Sequence, residues 1–371
     1  MHISYGSIGS ESIHHRTMWC HNIINMGRSG SGSDTESKIN NSMANQIATR
    51  PSCPCCVFLP DDLFLPDNLK DTLTPTTDEE MMSPQDALQK IADASGRETV
   101  VIVDTHGHAH LERSLHDSYQ METKPSIIKV ISLSCAVEPN DWQACLDYAS
   151  QSDNIRSALG VHPWYLADLP DNYLVTLEGM LQQHPTAMVG EIGLCKMARF
   201  VRTHPEGKAA ALELQRIVFL DQLKLAAKYK RPVSVHCVNQ QGVLMKVLGE
   251  LKPLPPTIGM HSFTGTAHHV QQLLNFEKNH SSSYSRIIFY FGFSHIINYE
   301  MCTSDKSRRQ GIEAIRAVPF DRLLAESDVH ASGDIAVGTA GAIAYLAYAL
   351  EKTILEVATQ TAKNGIEFLK G

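Results

Sequence analysis

From residue 98 onward the hydrophobic pattern alternates between two periods. Short β-branched runs are followed by longer stretches in which apolar residues recur every three or four positions. Eight short runs stand at 100–103, 127–133, 155–160, 187–190, 232–235, 257–260, 287–291 and 323–325. Amphipathic stretches at 141–150, 212–229, 243–251, 268–278, 308–318 and 355–369 carry the helical period. Strand runs alternating with helical segments predict repeated βα units around a parallel sheet. Eight such units predict an α/β fold of the (β/α)8 TIM-barrel class, which needs roughly 250 residues. An open doubly wound sheet is the competing arrangement.

Ahead of the first run, Ser83-Pro-Gln-Asp86 offers an N-cap, a proline at the first helical position and an acid at the third. A short leading helix is therefore expected within 83–97, running to about Ala94 and closed by Gly96. Residues 1–82 show no sustained apolar period, and Arg28-Ser-Gly-Ser-Gly-Ser-Asp34 has the composition of a flexible tail. They are expected to form a disordered or low-complexity N-terminal extension to a barrel over 98–371. The stretch 335–350 is uncharged but interrupted by Gly338, Thr339 and Gly341. It is shorter than the roughly 18–20 apolar residues of a membrane span, so it predicts a buried helix and no membrane partner.

Composition narrows the function classes. Hydrophobic residues at 43% and charged residues at 19% are ordinary globular proportions. A net charge of -8 argues against a protein that coats nucleic acid non-specifically, and leaves room only for a local cationic site. Nine cysteines without regular spacing suit reduced thiols in an intracellular compartment better than a disulfide framework. Cys53, Cys55 and Cys56 form the only cluster, and no second pair lies at zinc-finger spacing. The N-terminus lacks a basic segment followed by an apolar one, so a secretory signal is not expected. The expected location is cytoplasmic or nuclear, with organelle import by the extension left open. No oligomeric state is implied.

Candidate chemistry sits at the strand ends. Six of the eight runs are followed at once by histidine or an acid, and in such a barrel the C-terminal strand ends converge on the active site. They are Asp104-Thr-His106-Gly-His108-Ala-His110, Gly160-Val-His162-Pro163, Gly190-Glu191-Ile-Gly193, His236, His261-Ser-Phe263 and Glu326-Ser-Asp328. A lone histidine after a strand is more often structural. Two at a spacing of two share one face, because strand side chains alternate, and so point into the same mouth. Neutral imidazoles bind borderline transition metals, and a carboxylate can bridge two cations. Two cations about 3.5–4 Å apart can hold the attacking and leaving oxygens of an in-line displacement.

Glu191 is the natural bridge. His106, His108 and Asp328 would complete one shell, His236 and His261 the other, with Glu191 and Asp328 as the candidate catalytic carboxylates. His110 extends the pair to a triplet, so His108 with His110 stays an alternative to His106 with His108. Asp104 is expected to accept a hydrogen bond behind the ligands, its other reading being the cap of a strand end. His162 suits contact with a substrate phosphate or carbonyl. His268, His269, His295 and His330 lack comparable placement.

These segments, in this order, resemble the TatD-related family of metal-dependent deoxyribonucleases, within the amidohydrolase-like barrels. The resemblance covers about residues 98–371, and Gln215, Phe219, Gln222, Leu223 and Ala226 follow the family's helix pattern. It implies a two-metal phosphodiesterase using magnesium, manganese or zinc-like ions on DNA, sometimes as an exonuclease. This sequence departs from the pattern at Gly107, at Cys195, at Cys237 to Asn239 and at Val329-His330. Those departures spare the six ligand candidates and fall where substrate would be touched. A C–N hydrolase of the amidohydrolase type is the first alternative; such sites often carry a bridging modified lysine at strand four, where Glu191 stands here. A non-catalytic interaction barrel is the second, and it would be expected to have lost ligands.

Overall fold

The computed structural model describes residues 81–94, 99–112, 128–281 and 287–371. Residues 1–80 of the 1–82 extension, with its cysteines, and the Gly96 cap lie outside these residues. The leading helix α1, Pro84–Ala94, begins as its sequence signals. Ser83 Oγ accepts the Asp86 amide (3.1 Å) and donates to the Asp86 carboxylate (2.6 Å).

Eight parallel strands follow, each hydrogen-bonded to the next in chain order. They are β1 Val100–Gly107, β2 Ile128–Cys135, β3 Ile155–Leu159, β4 Met188–Cys195, β5 Val233–Val238, β6 Thr257–Met260, β7 Ile288–Ser294 and β8 Leu323–Glu326. The helices between and after them are α2 Trp142–Ala149, α3 Tyr173–Gln183, α4 Arg199–Thr203, α5 Gly207–Lys228, α6 Gln241–Glu250, α7 Ala267–His280, α8 Asp305–Ala317, α9 Ile335–Leu350 and α10 Ile354–Lys370. The fold is the TIM barrel that the alternation of periods predicts, and not the open doubly wound sheet.

β1 and β8 close the barrel without a full ladder between them. Thr105 Oγ1 donates to the Ala325 carbonyl (3.1 Å), and just past β8 the amide of Asp328 donates to His106 O (3.0 Å). The amide of His108 in turn donates to Val329 O (2.8 Å). α9 packs along β7, β8 and β1 and against α1, with most of its residues buried, so the apolar stretch is a wall of the barrel. α10 lies over β8 and β1, and its buried Phe368 meets Gly259 of β6 and Tyr290 of β7. Burying that ring is worth roughly 2–3 kcal/mol.

Two glycines let the mouth draw tight. Gly193 pairs with His236 across β4 and β5, where a Cβ would collide with the His236 carbonyl. At Gly292 a Cβ would occupy the space of the Glu326 carboxylate. Several strands run further than their apolar runs suggested: β1 includes Asp104 to Gly107, and β4 includes Glu191 to Cys195. Asp104, His106 and Glu191 are polar yet as buried as the apolar residues before them, so the hydrophobic period ends before the strand does.

Candidate active site

The six strand ends bring their polar side chains to one place, with Glu191 at its centre. Its two oxygens face different histidines. Oε2 lies 3.4 Å from His106 Nε2 and 3.5 Å from His108 Nε2, which are themselves 3.3 Å apart. Oε1 lies 2.9 Å from His236 Nδ1, 3.3 Å from His162 Nε2 and 3.7 Å from His261 Nε2. Asp328 joins the two sides, with Oδ1 3.5 Å from His108 Nε2 and Oδ2 3.7 Å from His261 Nε2. The rings of His106 and His261 stack at 3.5 Å.

The outer nitrogens are engaged, which turns the inner ones toward shared space. His106 Nδ1 meets Ser234 Oγ (2.9 Å), and His108 Nδ1 donates to the Cys135 carbonyl (2.7 Å). His261 Nδ1 meets Glu326 Oε2 (3.1 Å), which also accepts the Ser262 amide (2.8 Å). A neutral His108 that donates from Nδ1 presents a lone pair at Nε2, the form a metal ligand needs. His236 is turned the other way, with Nδ1 toward Glu191 and its buried Nε2 on the far side of the ring. Converging imidazole nitrogens and two carboxylates fit a divalent cation, and three such groups gather among the described residues: His106–His108–Glu191, His106–His261–Asp328 and His162–Glu191–His236.

Asn239, Ser262 and Asp328 follow β5, β6 and β8 with left-handed backbones, φ 56°, 36° and 53°. Such turns cost energy in non-glycine residues and cluster at functional sites. At Asp328 the turn belongs to the same seam that bonds its amide to β1.

Charge explains the protonation pattern. Burial opposes ionisation of Glu191 and Asp328, but the surrounding imidazoles, His162 first for Glu191 and His261 first for Asp328, hold both carboxyls well below the usual range. Burial likewise lowers the histidines, yet the carboxylates overcome it at His261, raised to about 10 by Asp328 and Glu326. His236 is raised to about 9 by contact with Cys195 and Glu191. His162 stays low, at about 4, because burial prevails. Its Nδ1 accepts the Trp164 amide (3.3 Å), so the neutral ring carries its proton on Nε2, facing Glu191.

The structure brings His106 and His108 to Glu191 and sends His110 away, to Ser134 Oγ (2.8 Å) and Asp141 Oδ2 (3.3 Å). Asp104 differs from the expectation that it supports a ligand ring. It bonds no imidazole; it accepts the Ser327 amide (2.8 Å), the Ser327 hydroxyl (2.6 Å) and the His106 amide (3.3 Å). It is therefore the cap of the closing seam, and burial lifts its carboxyl to about 7. Cys195 lies buried beside His236; burial would raise its thiol, but His236 and Trp164 hold it below the ordinary value. His330 is exposed at the mouth, its ring 5.2 Å from that of His108.

Sequence reasoning passed over Ser234 and did not give Glu326 a role. Ser234 stands two residues before His236, and Glu326 two before Asp328, so the spacing of two along a strand marks both. Gln215 and Gln222 are buried on α5. Gln222 bonds both the amide and the carbonyl of Val161, and Gln215 bonds Cys195 and the Pro163 carbonyl. They fix the loop that carries His162 and the end of the strand that carries Glu191.

Comparison with known proteins gives concordant matches. The sequence model of the family described as TatD related DNase matches residues 103–368. The Schizosaccharomyces pombe Cut9-interacting protein scn1 is 28% identical over 229 residues, 51% of this chain and 64% of that protein. The human 3'-5' RNA nuclease TATDN2 is 25% identical over 61% of this chain but 28% of its own length, so the chain spans only part of these relatives. The 3'-5' ssDNA/RNA exonuclease TatD of Erwinia billingiae is 29% identical over 46% of this chain and 56% of its length. Among solved structures, the TatD homologue YjjV of Escherichia coli superposes with a TM-score of 0.53 at 22% identity, covering 71% of this chain and 95% of its own. That likeness shows the fold.

Proposed function

We propose, from the premise that this chain belongs to the TatD-related DNase family, that it is a divalent-metal-dependent phosphodiesterase acting on nucleic acid. One observation carries the reading: both oxygens of Glu191 face imidazoles, Oε2 those of His106 and His108 and Oε1 those of His236, His162 and His261, so that this one carboxylate could serve two cations. His106, His108, Glu191 and Asp328 would hold one ion, and Glu191, His236 and His261 the other. Imidazole with carboxylate suits zinc or manganese, and magnesium less, because magnesium prefers oxygen donors. When bound, such ions would supply the Lewis acidity that activates water and offsets charge on the phosphoryl oxygens.

The chain's own groups do the rest. His162 carries a proton on Nε2 and is neutral at pH 7, so it suits donation to a phosphoryl oxygen once Glu191 is otherwise engaged. Asp328 is the more open carboxylate, its side chain 13% exposed against 4% for Glu191. It is ionised and can accept a proton from the attacking water. Glu326 and Ser234 hold their imidazoles in place from behind. The names of the relatives, which include a 3'-5' RNA nuclease and a 3'-5' ssDNA/RNA exonuclease, support a single-stranded substrate attacked from its 3' end.

The test is cleavage of 5'-labelled single-stranded DNA and RNA by the purified full chain with manganese, magnesium or zinc. Shortening from the 3' end that stops on chelation is the expected result. No cleavage of single-stranded or duplex substrate with any of the three ions would overturn the proposal.

A further inference from the structure

An open cleft of about 860 Å³ lies on the barrel rim beside β4, β5 and β6. Four cations line it from four segments: Lys196 directly after β4, Arg202 on α4, Lys208 in the first turn of α5 and Lys246 on α6. His269, in the first turn of α7, adds an imidazole, and among the described residues no aspartate or glutamate lines the cleft. All four cationic side chains are exposed. Among the described residues none of them makes an ion pair, whereas Lys224, Lys228, Arg216 and Arg316 elsewhere on the surface are each paired with a carboxylate. In a chain of net charge -8, this local imbalance runs against the whole. Four like charges around one cleft repel one another unless an anion sits between them.

The backbone adds to the same field. α6 opens into the cleft at Gln241 and Gly242 with no side-chain cap and no acid in its first turn, so its positive end is uncompensated. The cleft also adjoins the site. The Lys196 amide donates to Val238 O (3.1 Å), two residues after His236, and Asn239 turns out of β5 into the lining. The strands that carry Glu191 and His236 thus continue directly into segments that line the cleft. Its volume is toward the upper end of the roughly 300–1,000 Å³ of small-molecule sites, more room than one mononucleotide takes.

We propose that this cleft binds the phosphates of a nucleic-acid strand flanking the bond to be cleaved, so that the protein takes an oligonucleotide in preference to a single nucleotide. The inference rests on the phosphodiesterase reading for its ligand, and on the cleft for its place. Lys208 and Lys246 contact backbone phosphates without reading base identity, so affinity falls steeply with salt.

Binding of fluorescein-labelled oligothymidylate to the full chain, in chelator and from about 50 to 200 mM salt, tests it by anisotropy. The unmodified chain is expected to bind. K208E/K246E loses about tenfold or more in affinity, and its salt slope shrinks by about 1.4, at about 0.7 per single-strand phosphate contact. K208Q/K246Q, which removes the charges without reversing them, falls between, and K306E on α8 binds as the unmodified chain does. No binding by the unmodified chain, or equal affinity and slope in K208E/K246E, overturns the cleft. Cleavage with manganese is scored separately. A chain that binds through these lysines yet cleaves nothing keeps the cleft and rejects the phosphodiesterase; one that cleaves with affinity indifferent to K208E/K246E rejects the cleft alone.

Discussion

The amide of Asp328 donates to the carbonyl of His106 across 3.0 Å, so the bond that closes the barrel also sets a carboxylate against the first histidine pair. The same turn leaves Asp328 Oδ1 3.5 Å from His108 Nε2. Closure and assembly of the site are one structural event. Asp104, through Ser327, holds the seam from the β1 side.

Asp104→Ala should therefore destabilise the metal-free protein by about 2–4 kcal/mol, because it leaves the buried Ser327 amide and hydroxyl unpaired. Asp104→Asn should cost less, since burial already lifts this carboxyl to about 7 and favours an uncharged group. Urea denaturation in chelator measures both. Equal stability of the alanine variant would remove the seam from the argument.

Glu191→Gln should abolish cation occupancy and reduce turnover by more than the roughly 10–100-fold that follows loss of a supporting group. The melting temperature in chelator at pH 7 should also fall, because a neutral amide replaces the carboxylate that the surrounding imidazoles stabilise. Elemental analysis of the purified variant decides the first point; full metal content would show that Glu191 is not a bridge.

Glu326→Gln should spare the fold and weaken cation binding by roughly 10–100-fold, because the residue acts through His261 Nδ1. Titration with manganese measures the affinity. An unchanged affinity would make Glu326 a structural group of β8 only.

The pH dependence has two signs. His236 and His261 are raised to about 9 and 10 in the metal-free site, above the ordinary histidine value of about 6.5. Their contribution to stability is fully present below about pH 6.5 and is lost as pH rises through the folded values. Metal-free protein should melt progressively lower between about pH 6.5 and 10, and cations should abolish that slope. Glu191 and Asp328 are depressed, so theirs is present above about pH 4 and lost on acidification. Cation binding must displace imidazole protons, so calorimetry in buffers of different ionisation enthalpy should record proton release near pH 7.

His110→Ala should keep its cations and lose about 1–2 kcal/mol through the bonds to Ser134 and Asp141. His106→Ala and His108→Ala should lose cations. The reverse outcome would restore the alternative pairing of His108 with His110.

The sequence determined a good deal about this protein. The alternation of period two with period 3.6, repeated eight times, specifies βα units, and a residue's place after a strand puts it at the C-terminal mouth whatever the details of packing. That is why the sequence alone marks Glu191, His236 and His261. Strand ends were less legible, because Asp104 to Gly107 and Glu191 to Cys195 are polar or mixed residues inside strands, and hydrophobic period registers only burial against apolar neighbours.

Tertiary structure decided the rest. Spacing of two placed His106, His108 and His110 on one face, but only the bend past β1 and the position of Ser134 and Asp141 on neighbouring segments turned His110 aside. The role of Asp104 required Ser327, 223 positions away in the chain, and the cationic cleft required four segments to meet. Periodicity is a local property that one strand or helix expresses alone. Hydrogen-bond partners and charge clusters depend on which distant segments the closed barrel sets side by side.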